Sequence, residues 1–235
     1  MARSRKAELP PAWTSVLAVI AHPDDASYGL GAILDAFIFA RTRVEVLCLT
    51  HSQAWTLGEA PGDLSMLRGA GLASAADVLG PVRVTMQDCP DGALGELCQT
   101  KLARDVVATA DSCHPDGLLV LNTRTVPAHL DHVSARSAGL LAAEILDLPV
   151  LGWTLSEPVA ERVSREFEVS FAGHQDDRVD LRMTLERARQ RLASHADAGK
   201  AAAGSHSRRL LELLADTESL RWLGLRSSEV GARGR

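Results

Sequence analysis

Cysteine is scarce in this chain, and paired cysteine is absent. Cys48, Cys89, Cys98 and Cys113 are the four among 235 residues, and no two form a CxxC pair. That argues against a disulfide framework and a thiolate zinc site, and fits a reducing compartment. A positive surplus is missing too. The formal net charge is -5, which is not that of a dedicated nucleic-acid or anionic-membrane binder. No apolar run approaches the roughly 18–20 residues of a membrane span. The opening MARSRKAELPPAWTSVLAVIA places basic residues ahead of an apolar run, as a signal peptide does. Glu8, Pro10 and Pro11 interrupt it, and Val16–Ala21 is only one strand long, so a cytoplasmic protein is expected.

The length suits one domain with a full core, taken here as residues 1–235. Apolar runs at Val16–Ala21, Val44–Thr50, Val82–Met86, Leu118–Asn122 and Val150–Leu155 read as strands. Helical patterns lie between them near Tyr28–Ala40, Leu64–Leu79, Leu97–Ser112 and His132–Leu146. Such alternation predicts an α/β fold: a Rossmann-like, doubly wound, mostly parallel sheet with helices on both faces over about 14–155. A C-terminal extension over about 156–226 is expected to hold a strand at Arg165–Phe171 and helices at Asp180–His195 and His206–Trp222. Both ends of the chain are expected to be mobile tails.

Two clusters carry the chemistry. The first strand runs into His22-Pro23-Asp24-Asp25, and His129-Leu130-Asp131-His132 follows the fourth strand. Ligands bind beyond the carboxyl ends of strands in open α/β sheets, and strands one and four flank the switch point in the common order. The clusters therefore converge on one crevice. One His and one Asp from the first and one His from the second make a ligand set that leaves positions open for water, the pattern of a catalytic metal. Zinc suits it; Fe(II) uses the same triad. A dinucleotide site would need GxGxxG, but Leu34 stands where the third glycine belongs, and two carboxylates would repel a pyrophosphate. The blander reading of each cluster is a helix cap, Asp131 included.

At these residues the sequence resembles the PIG-L/LmbE-like family of zinc-dependent N-acetylglucosaminyl de-N-acetylases. The match covers about residues 14–146, anchored on Ala21–Asp25 and His129–His132, with Arg68 and the Pro90-Asp91-Gly92 turn as weaker anchors. The resemblance implies that His22, Asp25 and His132 hold Zn2+, or Fe2+ or another divalent metal, with Asp24 as general base. It makes His129 the group that stabilises or protonates the tetrahedral intermediate. Arg68 and Asp91 become substrate-side residues. The partner it implies is a small GlcNAc-containing conjugate, deacetylated in thiol-cofactor or natural-product biosynthesis. The antibiotic branch, such as the tunicamycin-pathway deacetylases, is the expected one. Ala26 and Gly71 stand where the family tends to carry Glu, and no tyrosine precedes the second motif. Those departures raise a second reading, a catalytically impaired sugar-conjugate-binding relative.

Of the remaining histidines, His51 reads as a polar loop residue, with pocket lining as its alternative. His114 reads as structural, His195 as the counterpart of a family histidine near the site, and His174 and His206 as surface residues. The cysteines read as buried or inert.

Overall fold

Every residue of strand β1 (Ser15–Ile20) is buried, because alternate side chains point to opposite faces of a sheet covered on both. In the computed structural model, β1 pairs in parallel with β2 (Arg43–Thr50) on one side and β4 (Gly117–Leu121) on the other. Next outward lie β3 (Val82–Cys89), parallel to β2, and β5 (Val150–Thr154), parallel to β4. β7 (Thr217–Trp222) runs antiparallel beside β5, and β6 (Leu181–Thr184) antiparallel beside β7. The seven-stranded order is β3-β2-β1-β4-β5-β7-β6. The structure describes residues 10–23, 25–26, 30–51, 82–122, 130–167, 170–174, 181–184, 213 and 217–223.

Two apolar layers hold the sheet. On one face Val16, Ala18 and Ile20 share a core with Ile33, Leu34 and Phe37 of helix α1 (Gly31–Phe39) and Val159 and Val163 of α4 (Glu157–Phe167). On the other, Leu17 and Val19 share a core with Leu102 and Val106 of α2 (Gln99–Cys113) and Ala135, Ala138 and Ala142 of α3 (Leu130–Leu146). Small residues let α3 lie close to the strands. A Cβ on Gly139 would stand 2.9 Å from Cγ1 of Val120, tighter than packed atoms allow. That close seating brings the first turn of α3 to the carboxyl edge of β1 and β4.

The expected doubly wound sheet is present, with β1 beside β4. The C-terminal extension departs from expectation. Arg165 and Phe167 end helix α4 rather than beginning a strand. Val159, Ala160 and Val163 lie on one buried helical stripe, and Pro158 in the first turn lacks only an N–H that the helix leaves unused. Residues 217–222, expected at the end of a helix, form β7 instead. Leu220 and Trp222 pack against the α1-side core while Arg221 between them points to the other face, a period of two. Leu181–Thr184 is likewise a strand where a helix was expected to begin. The expected helix Leu64–Leu79 and most of Asp180–His195 lie outside the described residues.

Candidate metal centre

The first loop is folded by its own carboxylate. Oδ2 of Asp25 accepts from the backbone N–H of Ala21 at 3.2 Å and of His22 at 3.0 Å, turning the chain back as it leaves β1. The N–H of Leu30 then donates to the Asp25 carbonyl at 2.8 Å and leads into α1. With Oδ2 so occupied, Oδ1 of Asp25 faces His132 and lies 3.0 Å from its Nε2. The same Nε2 lies 3.3 Å from Nδ1 of His22. His22, Asp25 and His132, 110 residues apart at the extremes, thus present one donor atom each to a common point.

The opposite nitrogen of His22 is held from behind. Its Nε2 lies 3.0 Å from Oδ1 of Asp91 and 3.1 Å from Oδ2 of Asp131. Two carboxylates on that atom place the ring proton there, which leaves the Nδ1 lone pair facing Asp25 and His132. Asp131 has no solvent exposure. Its Oδ2 also accepts from the N–H of Gly92 at 2.7 Å, and its Oδ1 from the N–H of Leu94 at 2.9 Å. Asp131 therefore ties the turn after β3 to His22. Gly92 takes φ +80 in that turn, a conformation that favours glycine.

The donor spacings fit those around a single metal ion. Two donors each about 2.0–2.1 Å from one zinc ion at a tetrahedral angle stand about 3.3 Å apart. Nδ1 of His22 and Nε2 of His132 are separated by 3.3 Å, and Nε2 of His132 and Oδ1 of Asp25 by 3.0 Å. Burial pushes the Asp25 carboxyl up, but His132 and His22 together outweigh it and hold the group below its ordinary value.

The predicted residues fall into three groups. His22, Asp25 and His132 come together. Asp91 joins the same layer, but on the far side of the His22 ring, with its side chain 4% exposed. Asp24, Arg68, His129, His195 and His206 lie outside the described residues, as does Gly71. Asp131 is the partner the sequence did not reveal. The signal was there, a carboxylate between two candidate histidines, but its contacts are to backbone 37 and 39 residues away. Ala26 is buried in the α1-side core, so the absence of Glu there removes nothing from the donor set just described.

Other residues are also placed. Nε2 of His51 pairs with Oδ1 of Asp88 at 2.8 Å, on the neighbouring strand β3. His114 caps α2 with φ 46 at the opposite edge of the sheet. His174, read as a surface residue, is half-buried between Asn122 and Arg221. Cys48, Cys89 and Cys113 are buried, and burial raises the Cys89 thiol and pushes Cys113 to about 11. Cys98 departs from the inert reading. It is exposed at the start of α2, where the backbone N–H groups of Lys101 and Thr100 lower its thiol below the ordinary value.

Fold and centre together define an α/β protein with a nitrogen-and-oxygen site, suited to a divalent cation, at the sheet's switch point. Residues 17–143 match the family described as PIG-L: GlcNAc-PI de-N-acetylase, and the chain belongs to that family. No curated protein matches it. Among solved structures it is similar to GalB, the 4-carboxy-2-hydroxymuconate hydratase of Pseudomonas putida KT2440, at 15% identity and TM-score 0.67, over 91% of this chain and 97% of that one. It is similar to the zinc-inhibited form of teicoplanin deacetylase Orf2 at 18% identity and TM-score 0.65, over 89% and 97% of the two chains. The N,N'-diacetylchitobiose deacetylase of Pyrococcus horikoshii aligns at 17% identity and TM-score 0.62, over 92% and 87%. At such identities the likeness is one of fold.

Proposed function

We propose that the protein is a metal-dependent hydrolase that removes the acetyl group from an N-acetylglucosamine unit of a small conjugate. The observation that carries this reading is the convergence of His22 Nδ1, Asp25 Oδ1 and His132 Nε2 beyond the ends of β1 and β4. A divalent metal held there supplies Lewis-acid activation of water and of the acetamide carbonyl. Asp24, next in the chain to a ligand, takes the proton from the attacking water as general base. The C–N bond breaks, the amine nitrogen receives a proton, and acetate leaves. His129 stabilises the oxyanion or delivers that proton, and Arg68 holds sugar hydroxyls. Asp91, expected on the substrate side, is assigned with Asp131 to orient His22, since its Oδ1 lies on the ring's outer nitrogen.

Zinc suits the donors, although the zinc-inhibited state of one structural neighbour makes metal identity part of the test. A natural-product substrate is the reading that the teicoplanin deacetylase likeness supports. GalB shares the fold and is a hydratase, so the family match, not the fold, speaks for de-N-acetylation. The test is metal analysis of the purified protein joined to an acetate-release screen over GlcNAc conjugates, with the apo protein reloaded with Zn2+ or Fe2+. Metal-dependent acetate release is expected. Bound metal without acetate release from any conjugate would replace this reading with the sugar-conjugate-binding one.

A further inference from the structure

The apolar floor of the α3 face ends abruptly beside the metal centre. Val120 and Val150 belong to that core, whereas at the carboxyl edge Asn122, Thr154 and Ser219 are all buried polar residues. Pairing of Val19 with Val120 runs parallel, so Asn122 stands one strand away from Ala21, the residue before His22. His174 lies above this edge. Its backbone bonds to Leu155 and Glu157 fix it there, at 2.9 Å each. Its Nε2 is 3.4 Å from the Asn122 amide, and its Nδ1 is 3.4 Å from Nη1 of Arg221. A guanidinium can only donate, so Nδ1 of His174 accepts from Arg221, while Nδ2 of Asn122 faces the ring's Nε2. The histidine thereby holds the Arg221 guanidinium in place.

Arg221 is half-buried, yet no carboxylate pairs with it among the described residues, and its Nε has no partner there. The Oγ1 of the fully buried Thr154 is likewise without a described partner. A partly desolvated guanidinium with no counter-charge is costly to maintain, and an incoming anion relieves that cost. In strand order β1-β4-β5-β7, Arg221 stands three spacings from β1, the strand that leads into His22, roughly 14 Å. That is the reach of a sugar bearing one further substituent, with its acetamide at the metal.

We infer that Arg221, braced by His174 and Asn122, is a subsite for an oxyanion, a carboxylate or a phosphate, on the part of the substrate remote from the acetamide. The inference deepens the de-N-acetylase reading and rests on it for the position of the sugar. The chain prefers conjugates with an anionic aglycone over neutral ones.

The test measures binding of three probes to the full-length, metal-loaded protein by calorimetry: N-acetylglucosamine 1-phosphate, carboxymethyl N-acetylglucosaminide and the neutral methyl glycoside. Wild type is expected to bind at least one anionic probe roughly ten- to a hundredfold more tightly than the neutral one. Arg221→Gln brings that ratio to about one, and Arg221→Lys retains part of it. Because the readout is a ratio within one variant, damage to the fold or the metal centre cancels. The two anionic arms tell carboxylate from phosphate. Equal affinity for all three probes in wild type, or a preference that survives Arg221→Gln, overturns the subsite. Acetate release is followed on the same probes. Anion preference without acetate release keeps the subsite and removes the deacetylase reading; acetate release without preference does the reverse.

Discussion

Nε2 of His22 lies 3.1 Å from Oδ2 of Asp131, a carboxylate with no solvent exposure. A buried carboxylate behind a ligand histidine sets the tautomer, aims the ring and raises its basicity toward a metal. Asp131→Asn keeps the shape and removes the charge. Metal affinity, read by competition with a chromophoric chelator, should fall about ten- to a hundredfold. An unchanged affinity would separate Asp131 from the centre.

Asp91 offers a sharper discrimination. If it orients His22, Asp91→Asn weakens metal binding, whereas a substrate contact would raise KM and leave the metal in place. Chelator competition alongside kinetics at saturating metal is expected to show the first pattern. A KM effect alone would return Asp91 to the substrate side.

Asp116 makes an independent test at the far edge of the sheet. Its Oδ2 accepts from the N–H and hydroxyl of Thr14 and, at 3.2 Å, from the N–H of Ser15, joining the entries to β1 and β4. Burial raises this carboxyl, but those donors and Arg43 outweigh it and leave it below its ordinary value. A lowered folded-state value means stability that is present above the unfolded value and lost as pH falls through the folded one. Asp116→Asn should therefore cost about 1 kcal/mol at neutral pH, the low end for an exposed charged acceptor, and leave metal affinity alone. Denaturant unfolding should find the gap closing below about pH 4. A gap that widens on acidification would contradict the assignment.

Cys98 should be the thiol that alkylates first. Cys48, Cys89 and Cys113 are buried, and Cys98 alone is exposed with its thiolate favoured by the first turn of α2. Iodoacetamide labelling followed by peptide mass mapping checks this, with a rate midpoint below the ordinary thiol value of about 8.5. Prior labelling of Cys113 would contradict it.

Much of the parallel core was legible because its strands are covered on both faces and read as unbroken apolar runs. Val16–Ala21 and Leu118–Asn122 needed no partner to be recognised, and each delivered its cluster to the carboxyl edge. The C-terminal strands were not legible. In β7 a period of two spans only Thr217–Trp222, and it follows a segment rich in leucine at helical spacing. The convergence of His22, Asp25 and His132 was legible from motif and placement. The support behind it was not, since Asp131 meets the turn at Gly92 and Leu94 through backbone atoms that every residue carries.

The central claim is that this centre hydrolyses an N-acetyl sugar with Asp24 as its base. The direct measurement is acetate released per bound metal by wild type and by Asp24→Asn on the same GlcNAc conjugate. The variant should hold metal at wild-type stoichiometry and lose about 10²–10⁴-fold in turnover, the range for a positioned general base. Near-normal turnover with full metal would contradict the assignment of Asp24, and acetate release independent of metal would contradict the centre itself.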